Sequence, residues 1–367
     1  MKSRPGSKPR FEVLDLLRGL AALMVLEWHY PWPAGYGPVF GRSYLAVDFF
    51  FVLSGFVLVH AYQPWLAAGA SPLRFMRARL IRFYPLYGVA VVIGAAYWAG
   101  KIALGNAPGI SWEAWWNTFF TAVLFLPTPP RMSVEPMTVF PFVYVTWSLF
   151  WELVVSAAYG VLATRLSARM LAPLIAIGAI GLCIAGFSEG SLDCGSDWPL
   201  APVSFARALF SFFAGIAIWL LHKRLAAPRV PALLVATILL VFLAPTTQHG
   251  GLGYELAAVL IGFPLLVWLG ASAKVGPILG RAGRELGYIS YPVYILHAPL
   301  LAIWPALLRR VFGSDLAQPV ASGLAIHLGF VLLLAWAIAH WFDEPVRHAL
   351  VRRFVPDRPP SPAQTAP

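Results

Sequence analysis

Ten apolar stretches, at about 11–31, 44–62, 83–100, 142–163, 170–187, 204–221, 231–244, 253–270, 286–306 and 320–341, confine this chain to one class of fold. A bilayer core about 30 Å thick is crossed by an α-helix of roughly 20 apolar residues. Inside lipid the backbone must satisfy its own N–H and C=O groups. The expectation is an all-α, polytopic membrane protein of about ten transmembrane helices. Composition agrees, since 59% of the 367 residues are hydrophobic and 12% charged, against about 25% charged in a soluble domain. The first stretch carries Asp15, Arg18, Glu27 and His29 among its ionisable residues and no small-residue cleavage pattern follows it, so it is read as a retained helix rather than a leader.

The net charge of +11 is distributed by side. With both termini cytoplasmic, twenty of the 27 Lys and Arg fall in inner segments, among them the N-terminal arm, the run Arg74, Arg77, Arg79 and Arg82, and the C-terminal Arg347, Arg352, Arg353 and Arg358. Outside fall Arg42, Lys101, Arg131, Arg207, Arg309 and Arg310, while Arg18 lies within the membrane. This positive-inside pattern accounts for the basicity without a nucleic-acid partner, and the expected location is the cell's inner, cytoplasmic membrane, as a multi-pass protein. Residues 1–10 form a basic cytoplasmic arm, 11–347 the transmembrane domain, and 348–367 a Pro-rich cytoplasmic tail expected to be disordered. Cys183 and Cys194 fall near one face, so a bridge there and two buried thiols are both open.

Residues 11–30, FEVLDLLRGLAALMVLEWHY, read as a spanning helix that nonetheless holds Asp15, Arg18, Glu27 and His29. Ionisable groups inside a bilayer are expensive and by default mark function. Eleven residues separate Arg18 from His29, which returns a helix almost to its starting angle and spaces the two by roughly 16 Å along one face. They either snorkel to opposite interfaces or hold an extended anionic ligand with its reactive end at the imidazole.

Other polar groups divide the same way. Asp48 is an interfacial carboxylate or part of a site, and Ser54-Gly55 beside it permits close helix packing. The arginines at 74–82 either anchor the topology beside lipid headgroups or hold phosphates. Glu152 is an isolated acid in the fourth span, at a depth comparable with His29, and needs a partner or a water-filled cavity. Arg207 and Glu255 are candidates for an outer vestibule. Tyr291, Tyr294 and His297 follow one another at helical spacings of three. His222, His249 and His340 sit at span ends, where a solvated histidine is the ordinary reading, and no spacing of histidines and acids suggests a metal site. Residues 101–141, rich in Trp and Phe but broken by Pro, read as an outer re-entrant or surface element.

Five segments together resemble the membrane-bound acyltransferase 3 family: LDLLRGLAALMVLEWH with its Arg18-to-His29 spacing, VDFFFVLSGF, RARLIRFYPLY, TWSLFWE, and LGYISYPVYILHAP followed by FDEPVR. The resemblance implies about ten transmembrane helices, an acyl-CoA donor from the cytoplasm, and an acceptor presented on the other side. By position, Arg18 and His29 match the family's arginine-histidine pair, Arg79 and Arg82 its basic motif, and Glu152 the acid of its Trp-Ser-Leu motif. The LVVSAAY that follows Glu152 departs from the aromatics of many relatives and leaves acceptor specificity open. Some relatives carry a fused extracytoplasmic hydrolase-like domain, which the short segment after the tenth span does not supply.

On this reading an acyl group, most simply acetyl, moves from acyl-CoA to a hydroxyl of a cell-surface or lipid-linked saccharide. Acyl-CoA is a co-substrate, and no tightly bound cofactor or metal is implied. Arg18, Arg79 and Arg82 bind the donor, His29 is general base or covalent acyl carrier, and Glu152 orients it. Asp48, Ser148, Tyr291 and His297 are candidate lining residues. A transporter or exporter of a saccharide or acyl intermediate is the alternative, because polar groups among ten spans also build substrate pathways. The sequence is silent on oligomeric state.

Overall fold

The computed structural model of the chain describes residues 10–32, 35–225, 227–244, 251–312 and 320–356. Thirteen α-helices occupy these residues: α1 (Glu12–Trp28), α2 (Ala46–Ala67), α3 (Pro72–Ala103), α4 (Trp112–Val123), α5 (Thr146–Leu162), α6 (Ala168–Glu189), α7 (Ala201–Arg224), α8 (Ala232–Leu243), α9 (Gly251–Ala257), α10 (Phe263–Ser272), α11 (Pro277–Phe312), α12 (Val320–Ile338) and α13 (Glu344–Phe354). A π-turn at Ala258–Gly262 joins α9 to α10, and another at Ala339–Asp343 joins α12 to α13. Eight helical runs are long and apolar enough to cross a membrane. With the charged α1 and the twelve-residue α8 packed among them, the described helices fill the ten places of the sequence reading. The protein is an all-α, multi-pass membrane protein.

Two boundaries differ from expectation. The third span begins at Pro72, not near residue 83, so Arg74, Arg77, Arg79 and Arg82 lie on the helix itself. Ser71 caps it by accepting the Arg74 N–H at 3.3 Å and Pro72 supplies the first turn; long arginine stems let a helix start among charges. At the other end α13 carries the chain to Phe354 and Val355 is buried, so residues 348–354 belong to the folded body rather than a disordered tail. The arm at 1–9, His249 and the tail at 357–367 lie outside the described residues.

The segment at 101–141 folds back on the third span. Trp115 Nε1 donates to Ala95 O at 2.9 Å, while Tyr87 OH and Tyr84 OH donate to Ala122 O and Val123 O at 2.6 Å each, so α4 runs back along α3. The chain turns at Phe125, against Tyr87, and returns until the Phe142 carbonyl abuts Gly94. Gly94 has no side chain because a Cβ would strike that carbonyl.

Helices α1 and α11 run parallel in close contact. Gly280, Gly283 and Gly287 of α11 face Glu12, Leu16 and Asp15, while Gly19 of α1 faces Leu286. Small residues at a crossing let backbones approach, which is how helices associate where lipid removes the hydrophobic drive. Arg284 bonds Glu12 at one end of the pair, and His297 meets His29 at the other. Helices α2 and α7 use the same device, with Gly55 against the Phe212 carbonyl and Gly215 against the Val52 carbonyl.

Candidate active site

A cavity of about 250 Å³ opens at the end of the bundle where α1 and α3 begin. Five arginines line it, Arg10, Arg18, Arg79, Arg82 and Arg347, against the carboxylates of Asp15, Glu152 and Glu344. The excess of fixed positive charge in a walled cleft attracts an anion. Apolar side chains from α2, Phe50, Phe51, Leu53 and Val57, form one wall.

Each arginine is held differently. Arg18 donates through Nε to Ser290 Oγ at 3.0 Å and through Nη2 to Asp15 Oδ1 at 2.9 Å and Gly287 O at 2.8 Å, so both helices of the α1–α11 pair fix it. Arg10 donates to the other oxygen of Asp15 at 2.7 Å. Arg79 pairs with Glu152, whose Oε1 also accepts the Ser54 hydroxyl at 2.5 Å. Arg347 pairs with Asp343 at 2.7 Å, one turn back at the end of the π-turn. Arg82 stacks over the Tyr291 ring at 5.5 Å and pairs with no carboxylate among the described residues.

The expected residues separate into two groups. Arg18, Arg79, Arg82, Glu152, Ser148 and Tyr291 converge on the cavity. His29 and His297 do not line it; they sit beyond its far end, ring centroids 4.9 Å apart. Ser148 and Tyr294 share a hydrogen bond of 2.7 Å at that end, and the Tyr294 ring contacts His297 at 5.8 Å. The expected pairing of Glu152 with His29 is therefore corrected. The acid lies on the cavity side, bound to Arg79 and Ser54, because α5 begins deep in the bundle and descends toward the start of α3.

Both histidines have a defined tautomer. His29 Nδ1 lies 2.8 Å from Val25 O and His297 Nδ1 lies 3.2 Å from Val293 O. A carbonyl only accepts, so each Nδ1 carries a proton, and in the neutral ring each Nε2 is then a lone pair. His29 Nε2 is thus in the state a general base requires.

Asp48 leaves the list of lining residues. It pairs with Arg207 at 2.6 Å, both fully buried, and Arg207 also donates to Tyr44 O and Cys194 O at 2.9 and 2.5 Å. Glu255 accepts from Tyr44 OH at 2.7 Å and from Leu192 N at 2.6 Å. Arg207 and Glu255 thus clip the 191–194 loop onto the start of α2 instead of facing an open vestibule. Cys183 and Cys194 are free, and burial lifts the Cys194 thiol to about 11, leaving it protonated and inert.

Sequence reasoning missed Arg10, Ser54, Ser290 and Arg347 as site residues. The signal for Arg347 was present in FDEPVR, where Asp343 four residues earlier orients it. Among the described residues no three His, Cys, Asp or Glu side chains are placed to hold a metal.

Residues 11–341 match the acyltransferase domain of the acyltransferase 3 family. "Protein 2 in picA locus" from Rhizobium radiobacter is 38% identical over 188 residues, 48% of this chain and 94% of that protein. A candidate membrane-bound transacylase, BcsY, from Komagataeibacter xylinus is 26% identical over 346 residues, 88% of this chain and 81% of that one. A candidate peptidoglycan O-acetyltransferase, YrhL, from Bacillus subtilis (strain 168) is 22% identical over 374 residues, 93% of this chain and 55% of that one. No solved structure matches the chain.

Proposed function

The chain belongs to the acyltransferase 3 family and is a membrane-embedded acyltransferase, and from that premise we propose that it moves an acetyl group from acyl-CoA to a saccharide hydroxyl. The arginine-lined cavity carries this reading. It joins a basic mouth, suited to the phosphates of a coenzyme A donor, to a path that ends one aromatic layer short of His29. The basic end is cytoplasmic by the positive-inside pattern of the loops, so donor arrives from the cytoplasm and acceptor from the other side of the inner membrane. The name of the Komagataeibacter relative, a membrane-bound transacylase, supports acyl transfer in the membrane, and that of the Bacillus relative, a peptidoglycan O-acetyltransferase, supports O-acetylation of a glycan.

Arg82, free of a carboxylate, and Arg347 receive the phosphates. Arg18 and Arg79, already oriented by Asp15 and Glu152, hold the polar groups of the arm that follows. Glu152 acts through Arg79, which it positions. The thioester passes Tyr294 and Ser148 to reach His29. There the acceptor hydroxyl oxygen attacks the thioester carbonyl, the C–O bond forms and the C–S bond breaks. The hydroxyl proton passes to His29 Nε2 and from there to the departing coenzyme A thiolate.

The test is turnover of labelled acetyl-CoA by the purified protein in nanodiscs with membrane glycans of its host. Release of the coenzyme A thiol with label in a glycan is the expected result. Absence of thiol release with every glycan fraction overturns the enzyme reading and returns attention to transport.

A further inference from the structure

On the side of His29 away from the donor cavity, α1, α11 and α12 enclose a set of polar atoms with no hydrogen-bond partner. His297 Nε2, Trp304 Nε1 and both ring nitrogens of His327 are buried and unpartnered. The three residues are respectively 0%, 3% and 0% exposed. Trp304 is seven residues after His297, two turns along the same face of α11 and roughly 10 Å away. The His327 ring lies 4.7 Å from Trp304 and 5.5 Å from Tyr30, the residue after His29. These side chains therefore follow His29 and His297 in a continuous line.

Buried polar atoms without partners are rare, and each one asks for a water, an ion or a ligand. The chemistry of this set narrows the choice. Among the described residues no carboxylate, Arg or Lys belongs to it, so these side chains offer a charged ligand no counter-charge. His297 Nε2 is a bare acceptor, Trp304 Nε1–H is a donor, and His327 supplies one of each. Alternating donors and acceptors suit hydroxyl groups, which both give and take.

We infer that His297, His327 and Trp304 form the acceptor subsite, which takes an uncharged polyhydroxyl ligand and sets one of its hydroxyls between His297 Nε2 and His29 Nε2. The inference rests on the acyl-transfer reading for its role and not for its existence, because the subsite binds sugar whether or not acyl-CoA is turned over. His297 and His327 are positioning residues that act through the ligand. His29 alone receives the proton.

Two measurements separate the claims. Saturation-transfer NMR with the methyl glycosides of glucose, galactose, N-acetylglucosamine and rhamnose reads binding directly on the nanodisc-held protein. At least one glycoside is expected to bind wild type, with affinity reduced tenfold or more in Trp304→Phe and His327→Phe and partly restored in His327→Asn. In turnover with host glycan, the same Phe variants are expected to raise the acceptor KM tenfold or more while the acetyl-CoA KM stays within twofold. Binding of no glycoside by wild type, or equal binding by wild type and by folded Trp304→Phe, overturns the subsite and leaves structural water as the occupant. Failure of acetyl-CoA turnover with sugar binding intact overturns the enzyme reading alone.

Discussion

Tyr294 and Ser148 share a hydrogen bond of 2.7 Å where the arginine-lined cavity ends, and Tyr294 leans on His297, which in turn lies against His29. On the proposed mechanism this bond stands between the cavity and the base, in the way of the thioester. A buried hydrogen bond is worth about 1 kcal/mol net, roughly a fivefold bias between closed and open passage. Tyr294→Phe keeps the ring and removes the bond. The prediction is that hydrolysis of acetyl-CoA without acceptor rises about fivefold, with stability lowered by about 1 kcal/mol. An unchanged ratio of hydrolysis to transfer would mean that the pair does not gate.

Glu152 and Arg79 form an ion pair with side chains 13% and 10% exposed. Removing one partner of a buried pair strands the other, which costs about 3–5 kcal/mol. Glu152→Ala is therefore expected to destabilise strongly and to raise the acetyl-CoA KM, because Arg79 loses its orientation. The double variant Glu152→Ala/Arg79→Ala should be less destabilised than the sum of the singles. Additive losses in a thermal double-mutant cycle would show that the two act independently.

The all-α class was legible because apolar runs of spanning length admit little else. Part of the cavity lining was legible for a related reason: Arg18 and Glu152 are charges placed in apolar helices, and their anomaly marks them, whereas Arg79 and Arg82 were expected ahead of the third span and were singled out by the family motif. Partnership was not legible. Glu152 and His29 stand at similar depths by residue count, yet α5 starts after a segment that folds back on the third span, so its acid meets α3 instead of α1. Asp48 shows the converse. It is as anomalous in sequence as Glu152, but an arginine 159 residues away neutralises it within the fold. His327 and Trp304 gave no signal at all, since a single neutral ring in an apolar helix is ordinary until its missing partners are seen.

Asp48 and Arg207 should accordingly behave as structure and not as site. Asp48→Asn leaves a fully buried guanidinium short of its counter-charge, and a loss of about 3–5 kcal/mol is expected. Activity per folded molecule should remain close to wild type, because neither side chain lines the donor cavity. Thermal unfolding and active-fraction titration check the two halves separately. A variant with normal melting and no turnover would restore Asp48 to the catalytic machinery.

Glycines at the α2–α7 crossing supply a sharper test of the fold. A methyl at Gly55 would overlap the Phe212 carbonyl, a backbone group that cannot swing aside, whereas nothing lies within 4 Å of a methyl at Gly88. Gly55→Ala should give aggregated or low-yield protein. Gly88→Ala should be neutral or slightly stabilising, since Ala outperforms Gly in a helix by up to about 1 kcal/mol. Fluorescence-detected size exclusion on the two variants, side by side, reads the outcome. Monodisperse Gly55→Ala protein with wild-type melting would contradict the close crossing.

His29 carries the sharpest prediction because its environment fixes what each substitution removes. Nδ1–H is committed to Val25 O at 2.8 Å, so only Nε2 is available for chemistry. His29→Ala deletes the proposed base without touching any arginine of the cavity. General-base catalysis contributes about 10²–10⁴-fold, and transfer should fall by that factor while acetyl-CoA binding and melting temperature stay near wild type. His29→Gln offers a neutral side chain of comparable reach that cannot take a proton at neutral pH, so it should be as inactive as alanine. If labelled acetyl-CoA without acceptor leaves acetyl on wild-type protein but not on His29→Gln, the imidazole carries the acyl group itself. If neither is labelled and only transfer is lost, His29 acts by removing the hydroxyl proton.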